Sequence, residues 1–197
     1  MCTRCSGQRG VSLIELIIFI VIVGVGVAGI LVSYDTVVRG SADPIIRKQA
    51  LAIAESLLLE VEQQAFTWCD PQDDNVLTAS SAAACKFSTN DQNKGGAAFP
   101  TGTPAPSPAS ETRGNIDDPY DNVADYAGYT AAGSDIVGGN ANADYQSSVT
   151  ITRAGGAAPF ADLPPDAVLR IAVTVSGRGE SVTLVGYRVR YAPNAPG

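Results

Sequence analysis

The sequence contains no histidine, which removes the commonest general base and the commonest metal ligand in one step. It is short of positive charge as well: 13 Lys and Arg stand against 20 Asp and Glu, a net charge of −7 with a pI near 4.5. The basic pairs beyond the first ten residues are modest, Arg47-Lys48 on a helical pattern and Arg188 with Arg190 on a strand pattern. That excludes nucleic acid as a partner, since binding there rests on neutralising phosphates. No carboxylates are spaced as a recognisable catalytic motif, so an enzymatic reading lacks a nucleophile with its base or a paired acid and base. The chain is read as a non-enzyme without a cofactor. Cysteine is scarce too, with four residues in two unlike pairs. Cys2 and Cys5 form a CxxC, but with no second CxxC it is weak evidence for zinc or redox chemistry and is read as incidental.

What the chain does have is one long apolar run, GVSLIELIIFIVIVGVGVAGILV, from Gly10 to Val32. Between Leu16 and Val32 there is no charge, and with Val11 to Ile14 the apolar reach suffices to cross a bilayer core of ~30 Å at ~1.5 Å per helical residue. The exception is Glu15. A carboxylate at a membrane helix centre costs roughly 2.5 to 3.5 kcal/mol on insertion scales, so it calls for a partner. Cleavage after Gly10 would create one, an α-amino cation that the Glu15 of a neighbouring copy could neutralise.

This arrangement of a short basic leader, a glycine and an apolar helix with glutamate as its fifth residue resembles the class III signal of type IV pilins and pseudopilins. The resemblance implies that Gly10 is the last leader residue, that a prepilin peptidase cuts after it on the cytoplasmic side, and that Val11 becomes the N-methylated terminus. Val11 stands where the family usually has phenylalanine. Glu15 is then the assembly glutamate. The implied partners are other pilins and minor pilins met through the N-terminal helix, the prepilin peptidase, an assembly platform protein with its ATPase, and the inner membrane. The chain would be single-pass in the inner membrane before assembly and part of a periplasmic or cell-surface pilus afterwards, which implies a Gram-negative bacterium. A secretory signal is the plainer alternative, but its apolar core runs roughly 7 to 15 residues with an A-x-A-like site after it. Arg4, Arg9 and the initiator amine should stay cytoplasmic under the positive-inside rule.

The expected organisation is a leader at 1–10, a hydrophobic transmembrane and assembly helix at 11–38, an amphipathic half of the spine helix at 43–66, and a globular head at 67–197. Asp43-Pro44 reads as a helix restart with a kink or short break, Asp43 capping and Pro44 at the first helical position. Beyond it Ile46, Ala50, Ile53, Leu57 and Val61 recur at spacings of three and four, widened by Leu51, Ala54 and Leu58, which predicts a helix packed on a sheet. From Asp70 to about Asp144 the periodicity fades into Ala, Gly, Ser, Asn, Asp and Pro, and 95–110 reads as a mobile or exposed loop. Cys69 and Cys85 lie on the exported side, where no other cysteine competes and oxidising conditions let disulfides persist. Their bridge would contribute ~3 kcal/mol in the chain-entropy model.

Asp117, Asp118, Asp121 and Asp125 crowd oxygen ligands that could hold calcium. Their spacing fits no EF-hand loop and Pro119 interrupts it, so a solvated, ordered loop with its tyrosines against the sheet is the favoured reading. The same acidic, tyrosine-rich stretch, with Ser41-Ala42-Asp43-Pro44, is similar to minor pilins of the mannose-sensitive haemagglutinin (MSHA) pilus, the MshD type, whose roles are pilus initiation, tip placement or adhesion.

Strand patterns occupy Ser147–Arg153, Ala167–Ser176 and Glu180–Tyr191. Ser176-Gly177-Arg178-Gly179 joins the last two as an antiparallel hairpin. The expected fold class is α+β, a long N-terminal spine helix packed on a C-terminal antiparallel sheet, as in pilins. Two rival readings are a minor pseudopilin of a type II secretion system and a membrane-anchored binding module. A plain anchor, however, has no use for Glu15.

Overall fold

The computed structural model describes residues 10–133 and 142–196, apart from the side chains of 36–43, 133, 142 and 143. Arg4, Arg9 and the CxxC of the leader, together with the Asp43 cap, lie outside the described residues. The chain divides into two compact units, Met1–Ile45 and Ile46–Gly197.

In the first unit the backbone enters helix α1 (Leu13–Gln63) at Leu13. The segment Leu13–Asp35 is 23 residues long and apolar enough to cross a membrane. Every described side chain from Gly10 to Asp35 is exposed, an apolar surface far larger than a soluble monomer carries without a partner phase. The helix is continuous through Asp43-Pro44, with Pro44 inside it, where the sequence suggests a restart. One proline removes one backbone donor, at a cost of about 3 kcal/mol, and the turns before and after it keep theirs.

The second unit contains the rest of α1 and a four-stranded antiparallel sheet in the order β1 (Thr130–Gly133), β2 (Asn142–Arg153), β3 (Val168–Gly177) and β4 (Glu180–Val189). This is an α+β, pilin-like arrangement. Ala50, Ala54, Leu57 and Val61 are buried on one helical stripe, and they meet Val149, Ile151, Leu169, Ile171, Val173 and Val175 in one core. The spacing of the stripe explains the contact, since positions three and four apart share a helix face.

Register sets which sheet face turns inward. Val149 pairs with Val173 and Ile151 with Ile171, while Val173 faces Leu184 and Ile171 faces Gly186. On β4 the inner face is therefore Val182, Leu184, Gly186 and Arg188, leaving the bulkier Val185, Tyr187 and Val189 exposed. At Gly186 the helix side chains come close: a Cβ there would lie 1.9 Å from Glu62 Oε1 and 3.2 Å from Leu58 Cδ1. The β3–β4 turn is made by Arg178 and Gly179, both at positive φ (51° and 87°), as the tightest hairpins require.

The end of α1 is clasped by the last strand and the coil after it. Arg190 lies flat between the rings of Phe66 (4.0 Å) and Trp68 (3.8 Å), and burial lowers its pKa to about 10. Arg188 Nη2 donates to Gln64 O (3.1 Å), Trp68 N to Pro193 O (3.4 Å), and Asn194 Nδ2 to Val76 O (2.8 Å) and Ala79 O (2.9 Å).

Candidate functional site

At the N-terminal end Gly10, Val11 and Ser12 precede the helix, and the first α-helical bond runs from Leu16 N to Ser12 O (3.1 Å). Gly10 is exposed and a Cβ added to it would meet no atom of the described residues within 4 Å. Val11 is 72% exposed. The glycine and the bond after it are thus open to an enzyme. Glu15 lies in the first turn of α1, where unpaired backbone N–H groups favour negative charge, and its side chain stands exposed among Leu13, Ile14 and Leu16. This is a carboxylate presented on an apolar surface, suited to meeting a cation on another molecule.

Where α1 ends, side chains take over from helix bonds. Ala65 and Asn122 form an isolated parallel bridge, with Ala65 N donating to Asp121 O (3.3 Å) and Val123 N to Ala65 O (3.0 Å). Asn122 caps the short 3-10 turn Val123–Tyr126, accepting from Ala124 N while Asp125 Oδ2 accepts from Asn122 N. Cys69 and Cys85 are bonded, with Cα atoms 5.4 Å apart. Inside the loop they close, Asp73 is a hub. Its carboxylate accepts from the backbone N–H groups of Asn75, Lys86 and Phe87 and from the Asn90 amide. Burial disfavours its charge, but those donors outweigh it and hold the pKa below the ordinary 3.8.

Beside this loop three carboxylates converge: Asp70 next to the disulfide, Glu111 at the end of the proline-rich coil, and Asp121 before the 3-10 turn. Their ligating oxygens all lie within 4.8 Å of one another. Asp70 is 0% and Glu111 2% exposed, and Asp121 is half-buried. Asp70 accepts from Gln72 N (2.8 Å) and Gln92 Nε2 (3.4 Å), and Asp121 Oδ2 accepts from Gln72 Nε2 (2.6 Å). Asp121 Oδ1 and both Glu111 oxygens have no donor among the described residues. Burial raises the pKa of Asp70 and of Glu111, and a proton retained on Glu111 is donated in a hydrogen bond to the Asp70 carboxylate. Burial and then the charge of Asp70 push Asp121 up to about 7. An all-oxygen set of this kind suits a hard cation.

Of the residues singled out in the sequence as a weak calcium set, only Asp121 belongs to this group. Asp117 is exposed, with its N–H on Asn115 Oδ1 (3.1 Å), and Asp118 is half-buried, its carbonyl accepting from Thr112 N (3.1 Å). Asp125 is fully buried and already engaged by Asn122 N, by Ser107 N (3.0 Å) and by Lys94 Nζ at 3.9 Å. Sequence reasoning missed Asp70 and Glu111. The signals were slight: an acid adjoining a cysteine, and the lone carboxylate closing a long uncharged coil. The tyrosines of this segment pack edge-on, Tyr120 on Tyr126 at 5.1 Å and Tyr126 on Tyr129 at 6.3 Å. Arg113 reaches from the coil to α1 and grips Glu60 with two 2.7 Å bonds, while Tyr126 donates to the same carboxylate (2.7 Å).

Comparison with known proteins bears on the N-terminal end. Residues 5–31 match the family model described as the prokaryotic N-terminal methylation motif. Searches of curated proteins and of solved structures gave no match. The matched segment contains Gly10, Val11 and Glu15 and most of the exposed apolar helix. The motif supports a type IV pilin-like protein, anchored in a membrane before assembly, processed by a prepilin peptidase and assembled with other pilins.

Proposed function

We propose that this chain is a minor pilin-like subunit of a type IV pilus of the MSHA type, acting in pilus initiation, at the tip or in adhesion. The observation that carries the reading is Glu15, an exposed carboxylate in a run from Val11 to Val32 that is otherwise uncharged, five residues past a glycine that stands open at the end of a basic leader. Prepilin peptidase cleaves between Gly10 and Val11, and the amine of Val11 is methylated. The chain waits in the inner membrane on Leu13–Asp35. The platform protein then draws it into the filament, where Glu15 and the N-terminal amine of neighbouring subunits neutralise each other. Two charges in apolar surroundings each cost several kcal/mol alone, about what pairing recovers.

The test is intact-mass measurement of the membrane-extracted chain together with shear fractionation of surface filaments. The expected mass is that of a chain beginning at methylated Val11. With the variant as the sole copy, Glu15→Leu should be cleaved and kept in the membrane yet be absent from the sheared filaments, and Glu15→Gln should be nearly as poor. Normal incorporation of Glu15→Leu would refute the role given to Glu15.

A further inference from the structure

The carboxylate group in the head has no part in processing or in helix-to-helix assembly. Asp70 lies far along the chain from Glu111 and Asp121, and the fold has brought the three to one place. Two facts separate it from an ordinary acidic surface. First, Glu111 is 2% exposed and neither of its oxygens meets a donor among the described residues, although the same coil supplies Ser107 N to Asp125 and the adjoining loop supplies four donors to Asp73. Second, Asp121 Oδ1, a member of the same group, is likewise without a donor. Without an ion the group is held by a proton between Glu111 and Asp70, since a buried carboxylate ionised and unpaired is among the costliest arrangements a protein can hold.

The charges facing this point are strongly unbalanced. Asp70, Glu111 and Asp121 form the group, with Asp125, Asp118 and Asp73 near enough to act on it. Among the described residues the cation that faces them is Lys94, and it is shared between Asp125 at 3.9 Å and the Ser107 hydroxyl at 2.7 Å. One ammonium cannot balance the three carboxylates in their ionised form. The donor set is oxygen only, in a chain without histidine, which selects hard divalent ions over transition metals. The three carboxylate oxygens lie within 4.8 Å of one another, close enough to share one ion. Between the two common hard cations an irregular set of protein carboxylates favours calcium, which accepts flexible geometry, over magnesium, which demands a near-ideal octahedron and gives up its waters reluctantly.

We infer that Asp70, Glu111 and Asp121 bind one calcium ion, which ties the disulfide-closed loop, the proline-rich coil and the 3-10 turn together at the exit of α1. The site stands on the geometry of the head alone, so its failure would leave the filament reading untouched. The experiment uses the full chain purified in detergent, stripped with a calcium chelator and titrated at pH 7 with calcium chloride or magnesium chloride. Metal content after desalting and the thermal midpoint are read together. The expected result is about one calcium per chain and a midpoint raised by roughly 5–10 °C when free calcium is about 100-fold above its dissociation constant, with a much smaller rise in magnesium. Glu111→Gln should lose the calcium response and, in chelator, unfold near or above the wild-type midpoint, because the amide can donate to Asp70 as the protonated carboxyl does and no longer has to be kept protonated. Asp121→Asn, on the more exposed side, gives the same two readouts should Glu111→Gln fail to fold. Stripped wild type that takes up no calcium, an equal response to magnesium, or a full calcium response in both variants would overturn the inference and leave a carboxyl group neutralised by shared protons.

Discussion

The Glu60–Arg113 pair offers the sharpest test of how the head is fastened to its helix. Glu60 sits near the end of α1, and Arg113 belongs to a coil with no regular secondary structure. The guanidinium reaches both carboxylate oxygens at 2.7 Å, with side-chain exposures of 9% for Arg113 and 22% for Glu60. Exposed ion pairs contribute about 0–1 kcal/mol and breaking a buried one costs about 3–5, so a pair of this exposure should fall at roughly 2–4 kcal/mol when one partner is removed. The informative variants keep shape. Glu60→Gln still accepts from the Tyr126 hydroxyl, and Arg113→Met keeps an unbranched chain beside the Tyr129 ring, over which the guanidinium now lies at 5.3 Å. For a unit of this size the single variants should lower the thermal midpoint by roughly 4–16 °C. The double variant should be less destabilised than the sum by about 1–3 kcal/mol, because it leaves no unpaired charge behind. Circular dichroism of the four proteins in detergent completes the cycle. Single variants within about 0.5 kcal/mol of wild type, or strict additivity, would refute the claim that this pair joins coil to helix.

Three further outcomes are expected. Replacing Cys69 and Cys85 together by serine should cost ~3 kcal/mol through loop-closure entropy, read as a lower denaturant midpoint; free thiols at both positions in non-reducing peptide mapping of the native chain would show that the bond is not formed. Asp73 has a depressed pKa, so its contribution to stability is present above its ordinary value of 3.8 and is lost as pH falls through the folded value; Asp73→Asn should be less stable than wild type at pH 7, with the gap narrowing as pH falls below 3.8, and a constant gap between the two would sink the assignment. Gly186→Ala should be mild, since the atom a Cβ meets first is the far end of the flexible Glu62 chain, whereas Gly186→Val should cost about 1–3 kcal/mol by overpacking, measured by the same thermal scans.

The regular parts of this fold were legible because their periods are short. Ala50, Ala54, Leu57 and Val61 announce a helix face on their own, and the β-branched runs Ser147–Arg153, Ala167–Ser176 and Glu180–Tyr191 announce β2, β3 and β4, although β2 begins earlier, at Asn142. The hairpin turn could be read from Arg178-Gly179. On β4 alternation alone is ambiguous: Val185, Tyr187 and Val189 make the more apolar face, yet the sheet turns the other one inward, where Gly186 meets Glu62 and Leu58. Strand β1 escaped notice, since Thr130-Ala131-Ala132-Gly133 has neither length nor a strand-like composition. The coil between Asp70 and Tyr129 escaped for a different reason. It is held by hydrogen bonds from single side chains, such as Gln92 Nε2 to Ser107 O (2.6 Å) and Arg153 to the carbonyls of Asn93 (2.8 Å) and Ala97 (2.6 Å). Such bonds leave no repeat in a sequence, so the meeting of Asp70, Glu111 and Asp121 could not be foreseen from spacing.

The clasp at the end of α1 orders events in time. Gln64 is bonded to a residue 124 positions later, and Val76 to one 118 positions later, so the segment that leaves the helix stays open until the last strand has been delivered and paired. Loops of that length close slowly relative to local turns, and contacts across them are made late in folding. Phe66 and Trp68 therefore wait for Arg190 to arrive over their rings, and a chain in which that arginine has not docked leaves those two ring faces uncovered at the end of α1.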